Sequence, residues 1–246
     1  MTLTRLTAAI AVLSAAVLSS GCERIVDGTA SRAAAVKPAI TMSVKDILPS
    51  ADEVRAAVGN DLPAHEPPLV GGINVLPNGI RENSDAAPIE CIGAISVAPR
   101  VVYEKGPVTA AGTQTYWNYD FGVAASSAHA AVIELSSAPE AQRLFASFVQ
   151  QWRQCAGTTV TMYTHDSEGT ELYSKVSDVT LDGAMLSATV MGWDNHHTPP
   201  FPVEHAIGVD SEFIADVDVA VGVHVQAGTR AVEIVRAMLR KVSGPN

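Results

Sequence analysis

The 246-residue chain is 47% apolar and 17% charged, which excludes a disordered polymer and is enough to build one sizeable core. Its formal net charge of -10 argues against nucleic acid or anionic lipid as a partner, since both select basic faces.

Arg5 opens a segment in which Leu6 to Val17 is small or apolar apart from Thr7 and Ser14. That is the length of a secretory h-region, shorter than the about 20 apolar residues a bilayer span needs. Leu18-Ser19-Ser20-Gly21-Cys22 then resembles a lipobox, with Ser19 where the stricter pattern has a large aliphatic residue. The expectation is a signal peptide over 1–21 and a Cys22 carrying diacylglycerol and an amide-linked palmitate-type chain. Two or more acyl chains make such an anchor stable, on the extracytoplasmic face of the cell membrane. The bland alternative is ordinary secretion with Cys22 passive.

Residues 22–41 are rich in Ala, Ser, Thr and Gly and read as a flexible tether, with the folded domain over 42–246. Ser50-Ala51-Asp52-Glu53 has the form of a capping box before a short helix, with Val54, Ala57 and Val58 on one face and Gly59 at its end. From Asn60 to Pro88 five prolines and two glycine-bearing turns predict loop, with a hairpin suggested at Asn78-Gly79. A loop of that length is usually functional or disordered. Cys91 to Val102 favours strand, broken at Pro99.

Thr113 to Val123 alternates, with Thr113, Thr115, Trp117, Tyr119 and Phe121 on the face expected to pack and Gln114, Asn118 and Asp120 on the wet face. Ala130 to Leu135 reads as its hairpin partner. A second capping-box pattern, Ser137 to Glu140, opens a helix whose stripe Ala141, Leu144, Phe145, Phe148, Val149 and Trp152 continues to Cys155. Five short β-rich runs follow between Thr158 and Val221, then a final amphipathic helix over about Thr229 to Val242. The order predicts an α+β fold, a central antiparallel β-sheet packed against helices in a single domain.

With Cys22 assigned to lipid, Cys91 and Cys155 form an even remainder in an oxidising compartment, and Cys155 lies on a buried helix face, so they are expected to pair. The alternative is two buried free thiols.

These landmarks resemble a known family. The lipobox, Ile47 to Val54, Pro88-Ile89-Glu90-Cys91, Trp152-Arg153-Gln154-Cys155-Ala156-Gly157, Ala215-Asp216-Val217 and the terminal helix are similar to the PknH-like extracellular sensor domain, over about Met42 to Val242. The resemblance implies an α+β domain with a ligand cleft, no enzymatic activity and no cofactor. A second disulfide of that family would fall near Val203 and Ala220, both apolar in this chain.

No nucleophile elbow, metalloprotease helix, phosphate-cradling loop or Cys-x-x-Cys occurs, so no catalytic or metal-binding residues are assigned. Gly192 to Phe201, with His196 and His197, groups imidazoles, a carboxylate and aromatics. Trp193, His197 and Phe201 are the candidates there to line a ligand cleft, against the plainer reading of a surface loop. His205 follows soon after. Asp216 and Asp218 alternate on one strand face, either as a carboxylate pair or as the wet side of an edge strand. The sequence thus favours a lipid-anchored, non-catalytic lipoprotein that binds or senses a small molecule or cell-envelope component. A cell-envelope hydrolase and a scaffolding lipoprotein are the alternatives.

Overall fold

The computed structural model describes residues 42–244, so the expected signal peptide, Cys22 and the tether lie outside the described residues. Helix α1 (Val44–Ile47) is followed by α2 (Ala51–Val58), where Ser50 and Glu53 form the reciprocal capping box. Gly59, at φ 84°, ends α2 in the left-handed conformation that only glycine adopts without strain.

Among the described residues, nine strands form one fully antiparallel sheet. In chain order they are β1 (Leu69–Gly71), β2 (Ala86–Ala87), β3 (Val108–Trp117), β4 (Ala125–Leu135), β5 (Thr159–Tyr163), β6 (Glu171–Asp182), β7 (Met185–Asp194), β8 (Phe201–Asp210) and β9 (Phe213–Val221). Their spatial order is β1-β3-β4-β9-β8-β7-β6-β5-β2. The proline-rich segment therefore places β1 on one sheet edge and β2 on the other, and no hairpin forms at Asn78-Gly79. Between them the segment buries Leu76 against one sheet face, with Ile73, Val75 and Ile80 packed beside it. What reads as loop is a strap across the sheet.

That same face carries helix α4 (Ala138–Cys155), whose Leu144, Phe145, Phe148 and Trp152 enter the core. The opposite face is covered by α1, α2 and α5 (Arg230–Ser243). Helix α5 sits close to β8 because Gly208 has no side chain: a Cβ there would lie 2.6 Å from Val235 Cγ1. Val203 and Ala220, where the family's second disulfide was expected, stand directly opposite each other on β8 and β9.

Three expectations are corrected. Cys91 to Val102 is not a strand but a 3-10 helix over Ile89–Ala94 and a short α3 over Arg100–Tyr103. Its apolar content reflects burial of Cys91, Ile92 and Ala94, and Cys91 is bonded to Cys155 at the end of α4, with Cα atoms 5.7 Å apart. In β3 the packed and wet faces are exchanged: Gln114 and Tyr116 are buried, and Trp117 and Thr115 are exposed. Gln114 is accommodated because its amide donates to the Glu66 carbonyl at 2.9 Å, so the polar group is satisfied inside. Finally, the Ser137 side chain makes no cap to α4, although the helix starts there.

Candidate ligand-binding cleft

The register of four adjacent strands sets Thr115 on β3, His129 on β4, Asp218 on β9 and His205 on β8 side by side. Asp216 lies two residues from Asp218, on the same face. Their sequence neighbours Ala128, Ala130, Ala206, Val217 and Val219 point the other way, into the core beneath α2 and α5. Alternation within central strands thus gives one apolar face and a polar row on the other. The expectation that the two aspartates mark the wet side of an edge strand does not hold, because β9 is central and Asp216 is fully buried.

At the inner end of the row, His205 Nε2 lies 2.8 Å from Asp216 Oδ1, and Nδ1 lies 3.1 Å from the Ala94 carbonyl. The Ala94 carbonyl only accepts, so Nδ1 carries a proton, and a carboxylate facing Nε2 favours a second proton there. Burial pushes its pKa down, but the Asp216 charge and hydrogen bond, the Asp218 charge and the Ala94 carbonyl outweigh this and hold it above the ordinary value. The Trp152 ring lies 4.5 Å away, close enough for a cation–π contact. Asp216 Oδ2 accepts from the Tyr103 hydroxyl at 2.7 Å and the Ala98 backbone N–H at 2.9 Å. Burial, with Asp216 beside it, pushes the Tyr103 phenol well above its usual range. Ala98 is buried at φ 46°, a strained conformation for a residue with a Cβ, and the buried carboxylate holds it there. The loop from Ile95 to Pro99 is thereby fixed to the sheet.

That loop walls a cavity of about 700 Å³. Thr113, Thr115, His129 and Asp218 contribute from the sheet, Ile95 and Val97 from the loop, Leu69, Val75 and Ile80 from the strap, and Met162 from β5. β3 and β5 are six strand spacings apart, roughly 29 Å in a flat sheet, so their meeting in one cavity requires the sheet to curl. His129 Nδ1 lies 2.7 Å from Asp218 Oδ1, a hydrogen bond that raises the imidazole pKa against the opposing effect of burial. Its Nε2 has no protein partner among the described residues, and the side chain is 46% exposed. A second hollow of about 250 Å³ shares Leu69, Thr113, Gln114 and Thr115 with the first and is bounded by His65 and Trp117. His65 stacks on Trp117 with centroids 3.7 Å apart, and Tyr119 lies 5.2 Å beyond. Trp117 of β3 therefore belongs to a surface stack, whereas Tyr116 is buried.

Trp193, His197 and Phe201 do not line this cleft. Trp193 stacks on Tyr173 at 5.5 Å, and Phe201 stands opposite Gly192 across the β7–β8 ladder. His197 is exposed at the tip of the connection with φ 68°. The Asp194 carboxylate ties that connection by accepting from the His196 and Thr198 backbone N–H groups. His196 Nε2 lies 3.1 Å from the Thr170 hydroxyl, and His205 belongs to the buried network, so the three imidazoles do not converge. His129 and Tyr103 escaped the sequence reading. The only signal for His129 was a lone imidazole in the small-residue run Ala125 to Leu135.

Comparison with known proteins gives matches of three kinds. Residues 41–241 match the family described as PknH-like extracellular domain. The serine/threonine-protein kinases PknJ of Mycobacterium tuberculosis and Mycobacterium bovis are each 27% identical over 212 residues, covering 84% of this chain and 34% of theirs. The chain thus spans about a third of the length of these curated relatives. The crystal structure of the extracellular domain of PknH from Mycobacterium tuberculosis superposes with a TM-score of 0.67 at 17% identity, covering 81% of this chain and 94% of that one.

Proposed function

Since the chain belongs to the PknH-like extracellular domain family, we propose that it is an extracytoplasmic sensing lipoprotein, anchored through Cys22, that binds a small molecule or cell-envelope component in the cleft over His129 and Asp218. The carrying observation is the cleft itself: its volume of about 700 Å³ lies within the range of small-molecule sites, its walls are mainly apolar and few polar groups converge on its floor. The protein acts by binding, without catalysis or cofactor. A membrane anchor and an extracytoplasmic domain suit the detection of envelope material.

The test is a thermal-shift screen against fractionated cell-envelope extract, with mass spectrometry of whatever co-purifies. A fraction should raise the melting temperature of the native protein and leave that of Thr115→Trp unchanged, since Thr115 is an exposed strand position from which an indole would fill the cleft. An extract without effect on either protein would remove the binding reading.

One arrangement speaks for the hydrolase alternative. Thr115 stands opposite His129, and His129 is paired with Asp218 as a catalytic base would be. A hydrolase also needs the hydroxyl bonded to Nε2, a bond not present among the described residues. Covalent labelling of Thr115 by a fluorophosphonate probe would replace the binding reading with a catalytic one.

A further inference from the structure

We propose that the cleft takes a single-chain amphiphile with a monoanionic carboxylate head, the head seated on His129 Nε2 and the tail between the strap and the loop from Ile95 to Pro99. This rests on the cleft reading above and adds to it the chemistry of the ligand.

Apart from Ser96 on the loop, the polar side chains of the cleft lie on the sheet, where the Gln114 amide is already committed to the Glu66 carbonyl. Thr113, Thr115, His129 and Asp218 lie there, and Leu69, Val75, Ile80, Ile95, Val97 and Met162 line the rest. A ligand that satisfies both zones has one polar end and an apolar body. Asp218 engages Nδ1 of His129, which leaves Nε2 as the directional group toward the cavity. The charged groups facing this imidazole are Asp218 on β9 and, beyond it, the His205–Asp216 pair on β8 and β9. β3 contributes only the Thr115 hydroxyl. With the inner pair neutral overall and a protonated His129 meeting one carboxylate, the site is neutral before a ligand arrives, so a monoanion leaves one uncompensated negative charge where a dianion would leave two. A monoanion fits: it accepts from Nε2–H, and the threonine hydroxyls can donate to its other oxygen. The raised pKa of His129 makes the donor form available at the mildly acidic side of neutrality.

Protonation and ligand must then be coupled. A carboxylate stays ionised from about pH 6 upward, and His129 does not, so affinity falls as pH rises through the imidazole pKa. Binding above that pKa draws a proton from buffer.

The test is isothermal titration calorimetry of the full chain in detergent-free buffer with laurate, octanoate and dodecanol, in two buffers of different ionisation enthalpy. Laurate should bind tighter than octanoate, up to roughly fourfold per methylene. It should exceed dodecanol roughly tenfold at pH 6, the worth of one charge-assisted hydrogen bond. In a second titration above the imidazole pKa, proton uptake should accompany laurate alone. In His129→Gln, laurate should fall to the level of dodecanol, with dodecanol unchanged and no proton uptake. Equal binding of laurate and dodecanol, or a laurate preference that survives His129→Gln, overturns the headgroup inference while leaving the cleft as a binding site. If no amphiphile binds but an envelope fraction still shifts the melting temperature, the inference is overturned and the cleft reading stands.

Discussion

Asp216 accepts three hydrogen bonds with no exposed surface, and two of its donors, Ala98 and Tyr103, come from segments more than 100 residues distant in sequence. A buried charge in this position is stable only while each partner remains, and truncating one member of such a pair typically costs about 3–5 kcal/mol. Asp216→Asn keeps the shape but substitutes a neutral amide for the carboxylate facing His205, and is expected to lose that amount in urea unfolding. The pH dependence follows from the raised His205 pKa. A group whose folded pKa exceeds its unfolded one stabilises fully below the unfolded value, about 6.5 for histidine, and the gain is lost as pH rises through the folded value. Stability should therefore decline with rising pH from about 6.5 upward in the native chain. His205→Gln should be less stable and show a shallower decline, since His129 still contributes in the same direction. Equal slopes in the two proteins would mean that His205 is neutral in the fold.

Helix starts show how similar sequence patterns reach different outcomes. Ser50 accepts from the Glu53 N–H at 3.2 Å and Glu53 returns the bond to the Ser50 N–H at 2.7 Å, while the Ser137 side chain makes no such bond to α4. Ser50→Ala should cost about 1 kcal/mol, and Ser137→Ala only a few tenths, in the same unfolding measurement. A comparable loss at both positions would show that Ser137 caps α4 in solution. Helix α5 draws its N-terminal support from another element. Glu204 on β8 is buried and accepts from the Gly228, Arg230 and Ala231 N–H groups, and it pairs with the Arg230 guanidinium, so a strand residue supplies the anionic cap. The Cys91–Cys155 bond closes a loop of 64 residues and ties the 3-10 helix to the end of α4. In the chain-entropy account such a bond is worth about 4 kcal/mol.

For the molecule as a whole, the proposed anchor at Cys22 makes its own prediction. If Cys22 carries lipid, the wild-type chain partitions with membranes and its intact mass corresponds to residues 22–246 plus acyl groups. Cys22→Ala should move the protein to the soluble or secreted fraction with its melting temperature unchanged. Membrane retention of that variant would point to a different attachment. The formal net charge of -10 would keep an anchored domain off anionic headgroups.

Much of this protein follows from local pattern. The amphipathic stripe from Ala141 to Cys155 and the five short β runs after Thr158 are read from spacing, because helical and strand periodicities act over a few residues and leave their mark in the chain, and the cysteine pair is read by counting once Cys22 is assigned to lipid. Those signals establish an α+β domain stapled at Cys91 and Cys155. They do not determine which face of β3 is inside, since Gln114 becomes buried only when the Glu66 carbonyl arrives to satisfy it. Nor do they reveal that the proline-rich segment bridges both edges of the sheet. The cleft is likewise a product of register: His129, Asp218 and His205 lie on three strands that only the tertiary pairing β4-β9-β8 makes neighbours, and nothing in its own segment marks His129 as their partner. Hydrogen-bonded partners across a sheet are chosen by the packing of the whole chain, and that packing places imidazole beside carboxylate.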